Sequence, residues 1–355
     1  MGTRTSIHTV RWVNSLANYN IDLHLITMHT DTRKNLVSEK VTIHILKDSA
    51  PLGYFTNILP LSRLLNKIKP DLLHVFYATG YGTLGTFCNF HPLGISVLGS
   101  DIYDFPKRSF IHKILLQYNL KKAKYLFSTS KDMAKEASLY TKNKITIVPF
   151  GIDINKFKPL KVNSIFSDKS IVIGTVKTLE TIYGIDNLIY SFAKIKKQLP
   201  LSPLKLLIVG SGSIKKELTS IVSRLNINDS VVFINRVPHE EVPIYLNMLS
   251  IYVSLSIRES FGVAALEAQA CEIPVVVSNV GGLPEVVENG KTGFIVESGN
   301  LESTTLALSH LVLDEKKRKN MGKSGRKRVK NMYSWEKNSI EIMINIYAQI
   351  KMDRF

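Results

Sequence analysis

Short apolar runs recur along the whole chain, spaced so that one helix fits between most neighbours. In the first half they are IDLHLIT (21–27), VTIHIL (41–46), LLHVF (72–76), GISVLG (94–99), KYLFSTS (124–130) and KITIVPFG (144–151). After Pro159 they resume with SIVIGTV (170–176), LKLLIVG (204–210), VVFINRV (231–237), IYVSLS (251–256), PVVVS (274–278) and GFIV (293–296). Continuous apolar runs of this length predict strands buried on both faces of a parallel sheet. Helical spacing separates many of them, for example over 7–18, 61–69, 186–198, 213–225 and 240–248. Near the end, Ile340, Met343, Ile344 and Tyr347 fall on one face of a helix over 333–350.

Strands alternating with helices predict an α/β fold with helices on both faces of each sheet. The two series meet at 151–170, which has no clean periodicity and reads as a linker. The chain is therefore expected to form two doubly wound Rossmann-like domains, 1–155 and 156–333, with a terminal helix over 334–355 packing back on the first. In such folds ligands bind beyond the carboxyl ends of the strands, and a cleft between the domains is the expected site. One element is missing. The chain opens MGTRTSIHTVRWVNSLA, already turn and helix, where a first strand is expected.

At 355 residues the chain exceeds one ordinary domain, which agrees with this division. Cys88 and Cys271 stand far apart without metal-ligand spacing, which argues against a disulfide framework or a zinc site and for a reducing cytoplasm. The uncharged run 72–100 holds five glycines and Pro92, so it reads as strand, turn, helix and strand rather than a membrane span. Net charge is +17, and residues 107–144 carry ten Lys/Arg against Asp132 and Glu136. A second basic cluster covers 316–319 and 326–328. An anionic membrane surface, a phosphorylated substrate or plain solvation answers to this charge. No RNA-binding aromatic motif, zinc finger or heptad accompanies it, so nucleic acid is not expected as a partner.

The densest chemistry lies in SIRESFGVAALEAQACEIPVVVSNVGGLPEVV, 256–287. Glu259 follows a strand and precedes a helix. Gly262 allows close backbone approach, and the N–H groups of Ser260, Phe261, Gly262 and Val263 at the helix mouth suit an anion. Treated as one continuous helix, eight residues place Glu267 roughly 12 Å from Glu259 along the axis. That is too far for the two carboxylates of a glycosidase, which need about 5–9.5 Å. Two carboxylates either side of an anion site suit the sugar and ribose hydroxyls of a nucleotide-sugar. GSGSIK (210–215) lacks the third glycine of a dinucleotide fingerprint and reads as a tight turn near base or phosphate, through Gly210 and Gly212. Gly281 and Gly282 read as a close-approach turn. No Asp-x-Asp occurs in the chain, so no metal ion and no other cofactor is expected.

Residues 251–297 resemble the nucleotide-binding half of the family 4 glycosyltransferases, two-domain enzymes of the GT-B fold. Their Glu-x7-Glu motif reads Glu259-Ser-Phe261-Gly262-Val-Ala-Ala-Leu-Glu267 here. VPFGIDINKFKP (148–159), RVPHEEVPIYLNMLSIYVSLS, VGGLPEVVENGKTGFIV and MYSWEKNSIEIMINIY resemble other segments of the family, so the likeness spans nearly the whole chain. The resemblance implies a retaining, metal-independent transfer of a sugar from a nucleotide-diphosphate donor to a glycan or lipid-linked acceptor. Glu259 would meet the donor sugar and Glu267 the ribose, with Arg258 and Arg236 among the donor-binding residues. Lys177 takes the place of the arginine that faces the leaving diphosphate, whereas the family's second lysine is replaced in the stretch Thr181, Ile182, Tyr183. The first domain would bind the acceptor, with Asp101 contacting its hydroxyl and His8 and Arg11 as weaker candidates; Leu98 stands where a histidine or tryptophan is common. His74 reads as a core histidine. With the basic 107–144 region, this points to cell-surface polysaccharide assembly, in capsule, O-antigen or lipopolysaccharide, by a cytoplasmic protein peripheral on the inner membrane face. A non-hydrolysing sugar-nucleotide epimerase, a dehydrogenase and a catalytically impaired sugar-nucleotide-binding homologue stay open as alternatives.

Overall fold

Twelve strands occupy the twelve apolar runs, most of them shorter than the run that predicted them. A computed structural model describes residues 1–3, 6–29, 36–167 and 169–353. The chain divides into two compact units, Met1–Pro149 with Glu336–Phe355, and Phe150–Trp335. The first unit holds β1 (His24–Thr27), β2 (Thr42–Ile45), β3 (Leu73–Phe76), β4 (Leu93–Ser96), β5 (Tyr125–Ser128) and β6 (Ile145–Ile147). The second holds β7 (Ile171–Val176), β8 (Leu204–Val209), β9 (Val231–Ile234), β10 (Ile251–Ser254), β11 (Val275–Ser278) and β12 (Gly293–Val296). Among the described residues every strand pair is parallel.

The second unit is one six-stranded sheet of order β12-β11-β10-β7-β8-β9. Its strands run apolar from end to end because both faces are covered; Ile173, Leu206, Ile251 and Val276 are each at 0% exposure. The helices Ile185–Gln198, Lys215–Arg224 and Leu301–Leu313 pack together, and Val263–Ala270 packs with Glu315–Met332. The Ile152 amide donates to the Tyr333 carbonyl at 2.7 Å within this unit, and the division falls at Pro149–Phe150, ahead of the boundary expected at 155.

The first unit carries two sheets, β1-β2 and β3-β4-β5-β6. Met1 and Gly2 reach both: the Gly2 amide donates to the Ile26 carbonyl at 3.3 Å and the Phe76 amide to the Met1 carbonyl at 3.0 Å. Those two residues stand between β1 and β3. The uncharged run 72–100 is β3, the helix Tyr81–Phe87 and β4. No helix among the described residues is long and apolar enough to cross a membrane.

The terminal apolar stripe opens with a π-helical turn, Trp335–Ile340, and continues as the helix Glu341–Met352. Ile340 and Met343 are buried, and the Tyr347 hydroxyl bonds His74 Nδ1. His74 Nε2 pairs with Ser96 Oγ at 2.8 Å, so this is a satisfied core histidine. Burial, and then the nearby Met1 ammonium, push its imidazole from 6.5 down to about 3. The unfolded chain takes up this proton near 6.5 and the folded chain only near 3. Stability is therefore full above pH 6.5 and falls as pH drops towards 3, by up to about 1.4 kcal/mol per unit. Urea unfolding of the wild type and His74→Asn across pH 4–7 checks this, with a shallower acid slope expected for the variant.

Candidate active site

Two loops at the carboxyl ends of β7 and β10 bring the charges together. Lys177 follows β7 directly, and Glu259 lies in the loop from β10 to the helix Val263–Ala270. Although 82 residues apart, the Lys177 ammonium donates to Glu259 Oε2, with side chains 12% and 14% exposed. Ser256 Oγ reaches the same oxygen at 3.5 Å. Burial alone would lower the Lys177 ammonium, but the Glu259 charge and the hydrogen bond to it raise it above its ordinary value. Lys177 is thus held as an ammonium and paired with Glu259 before any ligand enters.

The stretch Thr181, Ile182, Tyr183 runs close to this pair. Tyr183 presents its ring to Lys177 Nζ at 4.4 Å from the centroid. A cation over a ring face is held electrostatically, so the aromatic residue steers the remaining lysine.

Glycines shape both loops. A Cβ on Gly210 (φ +151°) would lie 1.9 Å from the Lys177 carbonyl oxygen, and one on Gly212 would lie 2.1 Å from that of Leu179. Gly281 (φ +52°) presses on the other loop, where a Cβ would lie 1.7 Å from the Glu259 carbonyl oxygen. The Gly282 amide donates to that same oxygen at 3.0 Å. These turns hold the loops by backbone contact, which only a missing side chain permits.

The helix starts after Gly262 (φ 104°), so residues 259–262 are not helical. Glu267 lies one turn inside, about 6 Å from Val263 along the axis, so the roughly 12 Å reckoned for one continuous helix does not describe the separation of Glu259 and Glu267. First-turn N–H groups have no partner within a helix and, with its dipole, favour an anion. Phe261 is buried at 3%, its ring 6.2 Å from Phe150 and 5.9 Å from Tyr333, so its side chain anchors the loop. At the far end of the helix, Arg326 donates to the Ala270 carbonyl and, at 3.1 Å, to that of Phe157. Part of the second basic cluster is therefore a helix cap.

Glu267, 7% exposed, has its own partner. Its Oε1 meets His239 Nε2 at 3.0 Å, and His239 Nδ1 meets Lys156 Nζ at 2.8 Å. An ammonium can only donate, so Nδ1 accepts and Nε2–H donates to the carboxylate. His239 and Lys156 were not legible as site residues. Glu259 and Glu267 thus have separate partners, the Lys177 ammonium and the His239 imidazole. Arg258 is half-buried on the Glu259 loop, and Arg236 is exposed beyond β9 with its amide bonded to Ser211 Oγ. Burial raises the Cys88 thiol to about 11 and the Cys271 thiol to about 12, which disqualifies both as nucleophiles.

Asp101 is corrected. It belongs to the first unit and is at 0% exposure, accepting from the amides of Ala78 at 2.8 Å, Gly99 at 2.8 Å and Leu98 at 3.1 Å. Burial pushes its carboxyl up while these amides pull it down. The carboxylate ties the turns after β3 and β4 together and has no face left for an acceptor. His8 is exposed and Arg11 half-buried on the helix Ile7–Leu16. Among the described residues no group of three or more His, Cys, Asp or Glu could hold a metal ion.

Known proteins share this architecture. The family description "Glycosyl transferases group 1" matches residues 157–328, and "Glycosyl transferase 4-like" matches residues 1–130. The chain belongs to the group 1 glycosyltransferases. It is 29% identical to the capsular polysaccharide biosynthesis glycosyltransferase CapM of Staphylococcus aureus, over 95% of this chain and 93% of the relative. It is 26% identical to the N-acetyl-alpha-D-glucosaminyl L-malate synthase of Bacillus anthracis, over 91% and 88%. Its fold is that of a sucrose-phosphate synthase from Thermosynechococcus elongatus (TM-score 0.81, 21% identity, 97% and 92% covered). It is also that of Anabaena HepE solved with UDP and glucose (TM-score 0.78, 16% identity, 98% of each chain).

Proposed function

We propose that the protein is a retaining glycosyltransferase that moves a sugar from a nucleotide-diphosphate donor to a glycan or lipid-linked acceptor in cell-surface polysaccharide assembly. The observation that carries the reading is the Lys177–Glu259 pair at the mouth of the helix Val263–Ala270. Glu259 accepts from the donor sugar's hydroxyls, and the helix amides with Lys177 take up charge on the departing diphosphate. Glu267, oriented by His239, accepts from the ribose. The bond from the anomeric carbon to the phosphate oxygen breaks, the acceptor oxygen bonds that carbon on the same face, and the acceptor's proton leaves with the diphosphate.

Support comes from HepE, solved with UDP and with UDP-glucose, and from the capsular polysaccharide relative. Lys177 and the helix supply the counter-charge that a divalent cation otherwise gives, so the proposal includes transfer without metal. The basic 107–144 region supports work at the inner membrane face by a peripheral, cytoplasmic protein.

Incubation with a panel of nucleotide-sugars and short-chain lipid-linked or free glycan acceptors, read by proton NMR, tests this. The product anomer is expected to match the donor's, with rates unchanged in EDTA. An inverted product overturns retention, and an EDTA-silenced enzyme overturns metal independence. A converted sugar-nucleotide in the absence of acceptor supports an epimerase instead.

A further inference from the structure

The helix Phe110–Lys122 is apolar on two faces. Leu116, Asn119 and Leu120 point into the first unit at 0% exposure. Phe110, Ile111, Ile114 and Tyr118 are exposed, the first two at 75%. At about 100° per residue these four share an arc of about 100°. A surface helix ordinarily turns polar residues outward.

The strip continues past the helix. The Tyr118 ring lies 5.7 Å from Phe87, and Phe87 lies 6.3 Å from Phe55, each ring exposed. Leu52 and Leu59, on either side of Phe55 in sequence, are exposed as well. A run of exposed apolar side chains across several elements marks a surface that meets something.

Charge says what it meets. Residues 105–131 hold seven Lys/Arg and no Asp or Glu, and residues 50–70 hold three and none. Lys113, Lys121 and Lys122 are exposed on the apolar helix itself, with Lys122 Nζ 5.7 Å from the Tyr118 centroid. Apolar and aromatic side chains bordered by lysines on long stems fit the boundary between acyl chains and anionic headgroups. Nucleic acid offers no bed for four adjacent apolar residues. At 13 residues the helix is too short to span a bilayer and would lie along its surface.

We infer that this face seats on an anionic lipid surface, with Phe110 and Ile111 entering the headgroup–acyl boundary and Lys113, Lys121 and Lys122 meeting headgroup phosphates. The inference gives residues to the membrane part of the proposed function and does not rest on the donor chemistry.

Sedimentation of the full chain with phosphatidylcholine vesicles, with and without about 30% phosphatidylglycerol, tests it in the absence of nucleotide-sugar. Binding is expected to the anionic vesicles only, to weaken with added salt, and to fall about tenfold or more in Phe110→Ser/Ile111→Ser. Lys121→Glu/Lys122→Glu is expected to lose a similar factor. A Phe110→Trp chain, whose native Trp12 and Trp335 are already buried, is expected to blue-shift on anionic vesicles. Wild type left in the supernatant at low salt, equal binding to neutral vesicles, or serine variants that bind like wild type would overturn the inference. So would a lipid-free dimer that the serine pair turns into monomer, which assigns the face to a second copy of this chain. Sugar transfer to short free glycan acceptors, measured on the same samples without vesicles, keeps failure here separate from failure of the transferase reading.

Discussion

Glu259→Ala is expected to lower sugar transfer by about 10² or more and to destabilise the protein by about 3–5 kcal/mol. The first loss follows from removing the acceptor oxygens proposed for the donor sugar. The second follows from Lys177, whose nearly enclosed ammonium is then left without counter-charge. Lys177→Met strands the carboxylate in the same way. The combined Lys177→Met/Glu259→Gln chain removes both charges, so its stability is expected to return most of the way to wild type while transfer stays lost. Urea unfolding and transfer assays on the four proteins check this. Stability costs that simply add would show that the two side chains act independently and would remove the pair from the site.

Gly281→Ala is expected to silence transfer without touching a charged residue. Its Cβ would lie 1.7 Å from the Glu259 carbonyl oxygen in a backbone that already has φ +52°. The Glu259 loop must move, and misplacement by an ångström of the group proposed to bind the reacting sugar costs about 10²-fold. Gly290→Ala is the control: φ is +78° there, but nothing lies within 4 Å of the added carbon. It is expected to cost about 1 kcal/mol of stability and to leave transfer alone. Equal activity in the two variants would show that the Gly281 turn does not hold the site.

The strands were legible because a strand covered on both faces must be apolar along its length, and Leu204–Val209 or Val275–Ser278 has no other use for such a run. The Glu-x7-Glu spacing stood out in the sequence because a strand, a glycine and a helix start surround it, and the structure has all three. Partners were not. Lys177 and Glu259 meet through parallel crossovers that carry no local signature, and a single histidine between β9 and the next helix gives no hint that it orients Glu267. Asp101 misled because an acidic residue after a strand-end glycine looks alike whether it faces solvent or collects amides; the Ala78 amide that decides the matter is 23 residues away. Phe110 and Ile111 were hidden for a different reason. Apolar residues in a helix read as core, and nothing in the order of residues says that the core is already filled by Leu116 and Leu120.

The closed Lys177–Glu259 pair has a consequence for how a donor is caught. Its two charges cancel before arrival, so the pair itself exerts little pull on a dianion at a distance, and long-range attraction for the proposed donor comes from the unit as a whole, where residues 150–335 hold 24 Lys/Arg against 17 Asp/Glu. The field of the unit then sets how often a donor arrives, and contact with the pair sets how it is oriented.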